Sequence, residues 1–217
     1  QERETKKVLL VLLTSNRGLC GPFNSAVTKA ANARIASLKG VDVELMTVGK
    51  KASDLFKKSG RIVETENEIW NNLKFENTDT IAEKLMVGFA SKKWDRIEVI
   101  YNKFVNAAVQ EVQNEQYLPI QMPEAVPGKS AGDYLYEPSK EHIIKELIPI
   151  SLRTQLFKAC LDSMASEHGA RMTAMHKATD NANELRDALS LEYNKARQAA
   201  ITNEILEIVS GANALEG

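Results

Sequence analysis

A glycine-containing segment between an apolar run and a helix-like pattern could bind a phosphate group. Residues 14–27 read TSNRGLCGPFNSAV and follow the run VLLVLL at residues 8–13. A strand, a turn with glycines and a helix start are the parts of a phosphate-binding loop. Such loops usually have more glycines and a Lys followed by Ser or Thr, whereas this turn has only Gly18 and Gly21. Asn16 and Arg17 leave an anion site open, but the pattern favours a strand-to-helix turn whose glycines permit unusual backbone angles.

The other residue types that carry chemistry are not grouped in the sequence. His168 and His176 lie eight residues apart and His142 is remote, a spacing that does not match a zinc site. Cys20 and Cys160 also lack a metal-ligand spacing, which favours reduced thiols over a disulfide. Mixed charges between residues 177 and 195 are typical of a solvated helix face. The sequence therefore predicts no catalytic centre, no bound metal and no cofactor.

Strand and helix patterns alternate up to about residue 120, which would place the 14–27 segment in an α/β domain. The run VLLVLL is typical of a strand that is buried on both faces. The expected fold is a small Rossmann-like, mostly parallel sheet with flanking helices, and its last strand is antiparallel because no helix precedes it. The expected strands are residues 8–13, 41–49 and 95–102 and a segment that ends at Leu118. The first expected helix begins at Pro22, the second begins after residue 49, and the third begins at Asn77 or Thr78.

The composition changes after residue 120. Five of the six prolines fall between Pro119 and Pro149, which predicts a loop and a short helix that Ser139 caps and Pro149 ends or kinks. From residue 151 no proline occurs, and small or apolar residues recur every three or four positions. This pattern predicts a very long C-terminal helix, a coiled-coil shaft whose apolar stripe needs a partner helix. We expect three parts, residues 1–120, 121–150 and 151–217.

Charge and hydropathy exclude some classes of partner. The 28 Lys and Arg residues nearly balance 29 Asp and Glu residues, so no global field attracts nucleic acid or anionic lipid. No apolar stretch approaches the roughly 20 residues that span a bilayer, and the first residues are charged. We expect a chain that binds no nucleic acid and does not insert directly into a membrane.

Four segments, in this order, closely resemble the gamma subunit of the F-type ATP synthase. They are TSNRGLCGPFN at 14–24, DYLYEP at 133–138, SEHGARMTAMHKATDNANEL at 166–185 and YNKARQAAITNEILEIVSGANAL at 193–215. The last segment matches a family pattern in which seven residues fall in place: Ile201, Thr202, Glu204, Glu207, Gly211, Ala212 and Ala214.

The resemblance implies a mechanical function. A member of this family is the central stalk, or rotor shaft, of a rotary, proton-translocating ATP synthase, and it has no catalytic centre of its own. Its rotation couples the proton-driven c ring to ATP synthesis or hydrolysis on the alpha and beta subunits. The implied partners are the alpha, beta and epsilon subunits and the c ring. The implied location is the cytoplasmic face of a bacterial plasma membrane, as a peripheral part of the complex.

The resemblance also implies roles for individual residues. Guanidinium groups offer a planar fork of donors that suits carboxylates, so the arginines fit contacts with acidic loops. The residues expected to contact the beta subunits are Arg171, Arg197, Gln198, Thr202 and Glu204. Those expected in the foot on the c ring and epsilon subunit are Tyr134, Tyr136 and Glu137, and those of the turn typical of the family are Arg17, Gly18, Cys20 and Gly21.

One departure from the family pattern leads to a further expectation. In the family a long helix precedes the first strand and pairs with the terminal helix, whereas this chain begins almost at its first strand. We therefore expect the isolated chain to self-associate through the stripe of Ala182, Leu185, Leu189 and Ala196.

Two other functions remain open from the residues alone. A nucleotide-responsive α/β module with a coiled-coil arm would bind phosphate at residues 17–21. A small phosphotransferase would need a base and a phosphate-binding lysine in a recognisable spacing, which the sequence does not contain.

Overall fold

The computed structural model describes residues 4–120 and 139–215. Among them, five strands form one sheet in the order β3-β2-β1-β4-β5. The first four strands are parallel, and β5 is antiparallel to β4, which confirms the predicted α/β fold with a mostly parallel sheet. The strands are β1 (Lys7–Leu13), β2 (Asp42–Val48), β3 (Ile62–Glu66), β4 (Arg96–Phe104) and β5 (Gln110–Leu118). The helices are α1 (Phe23–Ser37), α2 (Lys50–Phe56), α3 (Phe75–Ala90) and α4 (Lys140–Leu215), with 3-10 turns at Lys57–Ser59 and Glu68–Asn71.

The central strand β1 is buried on both faces because helices cover both sides of the sheet. Successive side chains of a strand point to opposite faces. One set, Leu9, Val11 and Leu13, packs in a cluster with residues of α3 and α4. The other set, Val8, Leu10 and Leu12, packs in a cluster with residues of α1 and α2. The run VLLVLL therefore has the environment that its composition predicts.

The sheet-facing part of α4 belongs to the first of two compact units, Gln1–Thr173. Three side-chain hydrogen bonds connect it to the sheet region. The Tyr117 hydroxyl donates to the Leu152 carbonyl oxygen at 3.0 Å, and the Ser166 hydroxyl donates to the Asn102 carbonyl oxygen at 3.0 Å. The Thr173 hydroxyl donates to the Ala107 carbonyl oxygen at 3.1 Å. The buried residues of this part lie on one side of the helix, and they are Leu152, Leu156, Ala159, Cys160, Ser163, Ser166, Gly169 and Ala170.

The second compact unit is Ala174–Gly217. From residue 175 to residue 215 every side chain is exposed, including leucines such as Leu185 and Leu189. The described residues of this unit therefore form a helix with no apolar core in the single chain. Nowhere in the described part of the chain is a helix long and apolar enough to cross a membrane.

The structure contradicts one of the two predicted effects of Pro149, that it ends a short helix, whereas a kink at Pro149 stays a prediction. Instead, α4 runs from Lys140 to Leu215 with Pro149 inside it. Proline lacks the N–H group that would bond to the carbonyl of residue 145. Residues 145–148 are exposed, so water can satisfy that carbonyl, while Leu152 and Leu156 hold the following turns in the core. The proposed foot at residues 121–150 lies mostly outside the described residues, and the three-part division stays a prediction.

Two smaller differences concern the α/β domain. The predicted cap at Asn77 or Thr78 is wrong because α3 begins two residues earlier, at Phe75. The Phe75 ring packs edge-on against Phe157 with the ring centroids 5.6 Å apart, a tertiary contact that a sequence pattern does not show. The edge strand β3 was not predicted, since its short sequence IVETE is only partly buried.

Candidate interaction site

The inside of the 14–21 turn is filled by side chains. The Ser15 backbone N–H donates to Asn24 Oδ1 at 2.9 Å. Asn24 Nδ2 donates to Ser15 Oγ at 2.8 Å and to Cys20 Sγ at 3.1 Å. Cys20 is buried and packs with Phe23 and Ala170. A phosphate-binding loop needs free backbone N–H groups that converge on an open space, whereas here side chains occupy that space.

Hydrogen bonds also attach the 14–21 turn to its neighbours in the sheet. The Thr14 N–H donates to the Val48 carbonyl oxygen at 2.9 Å. Asn16 Nδ2 donates to the Asn67 carbonyl oxygen at 2.8 Å, and its Oδ1 accepts from the Lys50 N–H at 3.0 Å. Asn16, which the sequence left open as an anion ligand, therefore has a structural role that uses both atoms of its amide.

Two residues of the turn adopt left-handed backbone angles. Gly21 has φ = 54°, as expected for a glycine in a tight turn, and Leu19 has φ = 62°. For a residue with a side chain this conformation costs roughly 1 to 2 kcal/mol. The Leu19 side chain is 77% exposed, so it gains little burial within the chain. The sequence gives no signal for this feature, because leucine is not a residue that favours such angles.

Arg171 reaches the 14–21 turn from α4. Its Nη2 forms an ion pair with Glu167 Oε1 at 2.8 Å, and it makes long contacts of 3.5 Å with the Arg17 carbonyl oxygen and 3.4 Å with that of Gly18. Arg171 and the turn are 153 residues apart in sequence. The structure therefore brings together two groups of predicted site residues that the sequence could only name separately.

A cleft of about 300 Å³ lies between this turn, a 3-10 turn and α4. The indole N–H of Trp70, a lining residue, is buried and has no acceptor among the described residues. Arg17 and Arg171 contribute two positive charges to the lining, while Glu167 contributes one negative charge. The cleft therefore suits an acidic group better than a basic one. It is lined by Asn16, Arg17, Trp70, Asn71, Met164, Glu167, His168 and Arg171.

The other predicted contact residues lie in the second unit and are exposed. Gln198 and Thr202 are one helical turn apart, and the Thr202 hydroxyl donates to the Gln198 carbonyl oxygen at 2.9 Å. Arg197 and Glu204 are seven residues apart, which places them on one side of a helix. The predicted foot residues Tyr134, Tyr136 and Glu137 lie outside the described residues.

A buried ion pair stabilises the other side of the sheet, at a place that the sequence analysis missed. The Arg34 guanidinium donates to both carboxylate oxygens of Glu98, and Asn114 Nδ2 donates to Glu98 Oε2 at 3.0 Å. Burial raises the pKa of Glu98, but the hydrogen bonds from Arg34 and Asn114 and the charges of Arg34 and Arg96 outweigh it, so the pKa is lowered. The partners are 64 residues apart in sequence, and no local pattern connects them.

No arrangement for catalysis is found in the described ranges 4–120 and 139–215. There, no group of three or more His, Cys, Asp or Glu side chains could hold a metal ion. Both cysteines are free and buried. Burial raises the pKa of the Cys160 thiol to about 12, so this thiol is not a nucleophile at neutral pH.

Comparisons with known proteins identify the family of this chain. The ATP synthase family model matches residues 1–215. The ATP synthase gamma chain of Flavobacterium johnsoniae is 57% identical over 216 residues, which cover 100% of this chain and 76% of that relative. The ATP synthase gamma chain of Geotalea daltonii is 42% identical over 219 residues, which cover 100% of this chain and 76% of that relative.

Solved structures show the same fold. A chain of the Tetrahymena thermophila mitochondrial ATP synthase central stalk and c ring is 27% identical, with a TM-score of 0.64 over 82% of this chain and 78% of that one. A chain of the Euglena gracilis mitochondrial ATP synthase is 22% identical, with a TM-score of 0.71 over 97% of this chain and 73% of that one. With the sequence relatives, these matches show that the chain belongs to the ATP synthase gamma chain family, the non-catalytic central-stalk subunits of the rotary ATP synthase.

Proposed function

We propose that this chain transmits rotation to the catalytic subunits through two contact regions, the terminal part of α4 and the 14–21 turn with Arg171. We also propose that the foot residues Tyr134, Tyr136 and Glu137 contact the c ring and the epsilon subunit. The single observation that carries the proposal is the complete exposure of residues 175–215, apolar side chains included. A helix that buries none of its apolar stripe against the described residues needs a further helix or other subunits to cover that stripe.

The first contact region consists of Arg197, Gln198, Thr202 and Glu204. Their exposure supports the proposed contact with the beta subunits, because each side chain is accessible to a partner. Arginine can bind a carboxylate through two parallel hydrogen bonds, and the shorter Gln198 and Thr202 side chains add hydrogen bonds at close range. Such contacts are specific but few, so they can break and form again at each step of rotation.

The second contact region is the 14–21 turn with Arg171. The pairing of Arg171 with Glu167 holds its guanidinium beside the turn, and the side chain keeps 25% of its surface exposed. A carboxylate of a beta subunit could displace or share the Glu167 pairing.

The relatives support the wider assembly. The Tetrahymena structure contains the central stalk with the c ring, and the Euglena structure contains F1 with the c ring. We infer that the partners of this chain are the alpha, beta and epsilon subunits and the c ring. Its location would then be peripheral, on the cytoplasmic face of a bacterial plasma membrane.

The proposal is tested in the assembled ATP synthase. Changing both Arg197→Ala and Gln198→Ala should lower proton-driven ATP synthesis roughly tenfold or more, because loss of a central contact residue commonly costs that much. The matched control changes Arg186→Ala and Asn183→Ala on the same helix and should leave synthesis close to the parent level. Unchanged synthesis and torque in the Arg197 and Gln198 variant would contradict the assignment of this contact region.

A nucleotide-responsive role is less well supported. The side chains of Ser15, Asn24 and Cys20 occupy the inside of the only turn that the sequence offered for a phosphate. No observation on the described residues favours this second function.

A further inference from the structure

We propose that a cleft beside Arg96 binds a small organic molecule that has one phosphate or carboxylate group attached to an apolar part. The cleft has a volume of about 720 Å³, within the roughly 300 to 1,000 Å³ of typical small-molecule sites. Neither the resemblance nor the proposed contact regions assign a role to it. It is lined by Arg34, Arg96, Glu98, Asn114, Glu115, Gln116, Tyr117, Ile120 and Gln155.

The cleft lies at the end of the sheet opposite the 14–21 turn. Arg96 is the first residue of β4, and Tyr117 is the second-last residue of β5. The strand β4 is parallel to β1, whose last residue comes directly before the 14–21 turn. Every lining residue belongs to the first compact unit. A ligand in this cleft would therefore bind away from both proposed contact regions.

The first observation is that the Arg96 guanidinium keeps donors for a ligand. Its Nε is buried and has no hydrogen-bond acceptor in the described part of the chain. Its Nη1 is 3.8 Å from Glu98 Oε1, which is too far for a hydrogen bond. Arg34 donates to both oxygens of Glu98, and Asn114 donates to Oε2, so Glu98 is satisfied without Arg96. The planar fork of Arg96 is therefore available to the oxygens of a phosphate or carboxylate group.

The second observation is the balance of charge in the lining. The positive charges of Arg34 and Arg96 are matched by the negative charges of Glu98 and Glu115. The Glu115 carboxylate accepts a hydrogen bond from the Tyr101 hydroxyl at 2.8 Å. A balanced lining provides no excess field for a multiply charged ligand such as a nucleoside triphosphate. One available guanidinium group suits a ligand with one oxyanion group.

The third observation is that the cleft offers more than an ion site. Ile120 is 48% exposed and provides apolar surface in the lining, and the Gln155 side chain adds an amide from α4. A phosphate or carboxylate group alone would leave most of about 720 Å³ to water. Contact of an apolar part with the lining removes apolar surface from water and adds affinity. The ligand should therefore be an organic molecule rather than an inorganic anion.

The oxyanion part is tested by NMR on the isolated chain. The signal of the Arg96 Nε–H group is assigned by its loss in Arg96→Lys. Sodium phosphate, sodium acetate and sodium chloride are then added separately at constant pH and ionic strength. Phosphate or acetate should shift this signal until it saturates, whereas chloride should not, and the tighter of the two identifies the oxyanion group. The absence of a saturable shift with both anions would overturn the proposal.

The apolar part is tested with two matched pairs of probes. Phenyl phosphate is compared with phosphate, and benzoate is compared with acetate, on the same NMR signal. In the pair with the preferred oxyanion group, the aromatic probe should bind roughly threefold to tenfold more tightly, because its ring contacts apolar lining. Equal affinities within both pairs would mean an adventitious ion only, which contradicts an organic ligand.

Variants connect binding to Arg96. Calorimetry with the tighter aromatic probe should show roughly tenfold or weaker binding to Arg96→Gln, because a charge-assisted contact is lost. Arg61→Gln is the matched control, since Arg61 is exposed and outside the lining, and it should keep the parent affinity. Equal affinity in the parent and Arg96→Gln would refute the proposal.

A second variant of Arg96 separates binding from folding. Arg96→Gln should keep the parent melting temperature without ligand, because Glu98 retains its bonds to Arg34 and Asn114. If its melting temperature falls, Arg96→Lys decides, since it keeps the positive charge but lacks the planar fork. It should bind the probe at least about threefold more weakly than the parent, and parent affinity in Arg96→Lys would then overturn the proposal. These results are independent of the Arg197 and Gln198 experiment.

Discussion

The helix α4 has two different environments along its length. Between Leu152 and Ala170, a residue every three or four positions is buried in the first unit. From residue 175 onward, the same kind of sequence, with leucines and isoleucines at helical spacing, is exposed throughout. One part of the helix thus contributes to the stability of the fold, and the other buries none of its apolar side chains against the described residues. The difference shows that helical periodicity alone does not tell which core a residue joins.

The largest expected effect is a loss of stability in the buried part of α4, and it tests the difference between the two parts of this helix. Leu156→Ala should lower the free energy of unfolding of the first unit by roughly 2 to 5 kcal/mol, because Leu156 is only 1% exposed and its loss leaves a cavity. Leu189 is 55% exposed, so Leu189→Ala should change the free energy of unfolding by less than about 0.5 kcal/mol. Urea unfolding followed by the fluorescence of Trp94, which is buried in the first unit, measures both. Equal losses for the two variants would mean that the second part of α4 also supports the fold.

A smaller effect is expected at the ion pair between Arg34 and Glu98. Glu98→Gln should lower the free energy of unfolding at pH 7 by about 1 to 3 kcal/mol, since it removes a charged acceptor of three hydrogen bonds. The pKa of Glu98 is lowered in the folded chain from its usual value of 4.5. The carboxylate therefore stabilises the fold above that value, and the stabilisation is lost as the pH falls through the folded-state pKa.

The measurement for Glu98 is urea unfolding between pH 3 and pH 7. The difference between the parent chain and Glu98→Gln should be largest at neutral pH and should shrink below about pH 4.5. A constant difference across this range would show that the charge of Glu98 does not carry the effect.

The exposed stripe of the second unit should cause self-association of the isolated chain. We expect light scattering at micromolar concentrations to give a mass at least twice the 24.1 kDa of one chain, because pairing the stripes removes apolar surface from water. Changing both Leu185→Asp and Leu189→Asp should restore the monomer. Leu191→Asp is the matched control, since Leu191 is similarly exposed but about 200° around the helix from Leu189. A parent chain that is monomeric and fully helical would contradict this prediction.

The smallest expected effect is the response to nucleotides, which should be absent. Calorimetry with ATP and with ADP should show no binding to the isolated chain, because side chains fill the inside of the 14–21 turn. A dissociation constant in the micromolar range would show that the α/β unit is a binding module as well as a part of the stalk.

The sequence predicts the centre of the sheet better than its edges. The strand β1 was predicted because VLLVLL is a continuous apolar run, which is typical of strands buried on both faces. The strand β4 was predicted from its β-branched and aromatic residues. The edge strand β3 was missed because its residues alternate only weakly between buried and exposed. The prediction that Pro149 ends the helix was wrong because the packing of Leu152 and Leu156 in the following turns stabilises the helix more than the proline destabilises it.

In the candidate site, too, some features could be predicted from the sequence and others could not. The residues of the turn and of α4 could be named from a resemblance, because each group lies in a continuous segment. The contact between Arg171 and the turn, and the pair of Arg34 with Glu98, each join residues more than 60 positions apart. The left-handed angle of Leu19 depends on surrounding hydrogen bonds rather than on its residue type. Such features follow from the packed chain and leave no local pattern.

The three hydrogen bonds that attach α4 to the sheet region have a mechanical consequence. Close packing of its buried side chains already resists rotation of this helix, and hydrogen bonds add a preferred direction to that resistance. The helix residues in these bonds are Leu152, Ser166 and Thr173. They span 22 residues, roughly 30 Å of helix. Directional bonds at both ends of that stretch resist twisting of the helix against the sheet. The first unit would therefore respond to torque as one stiff body.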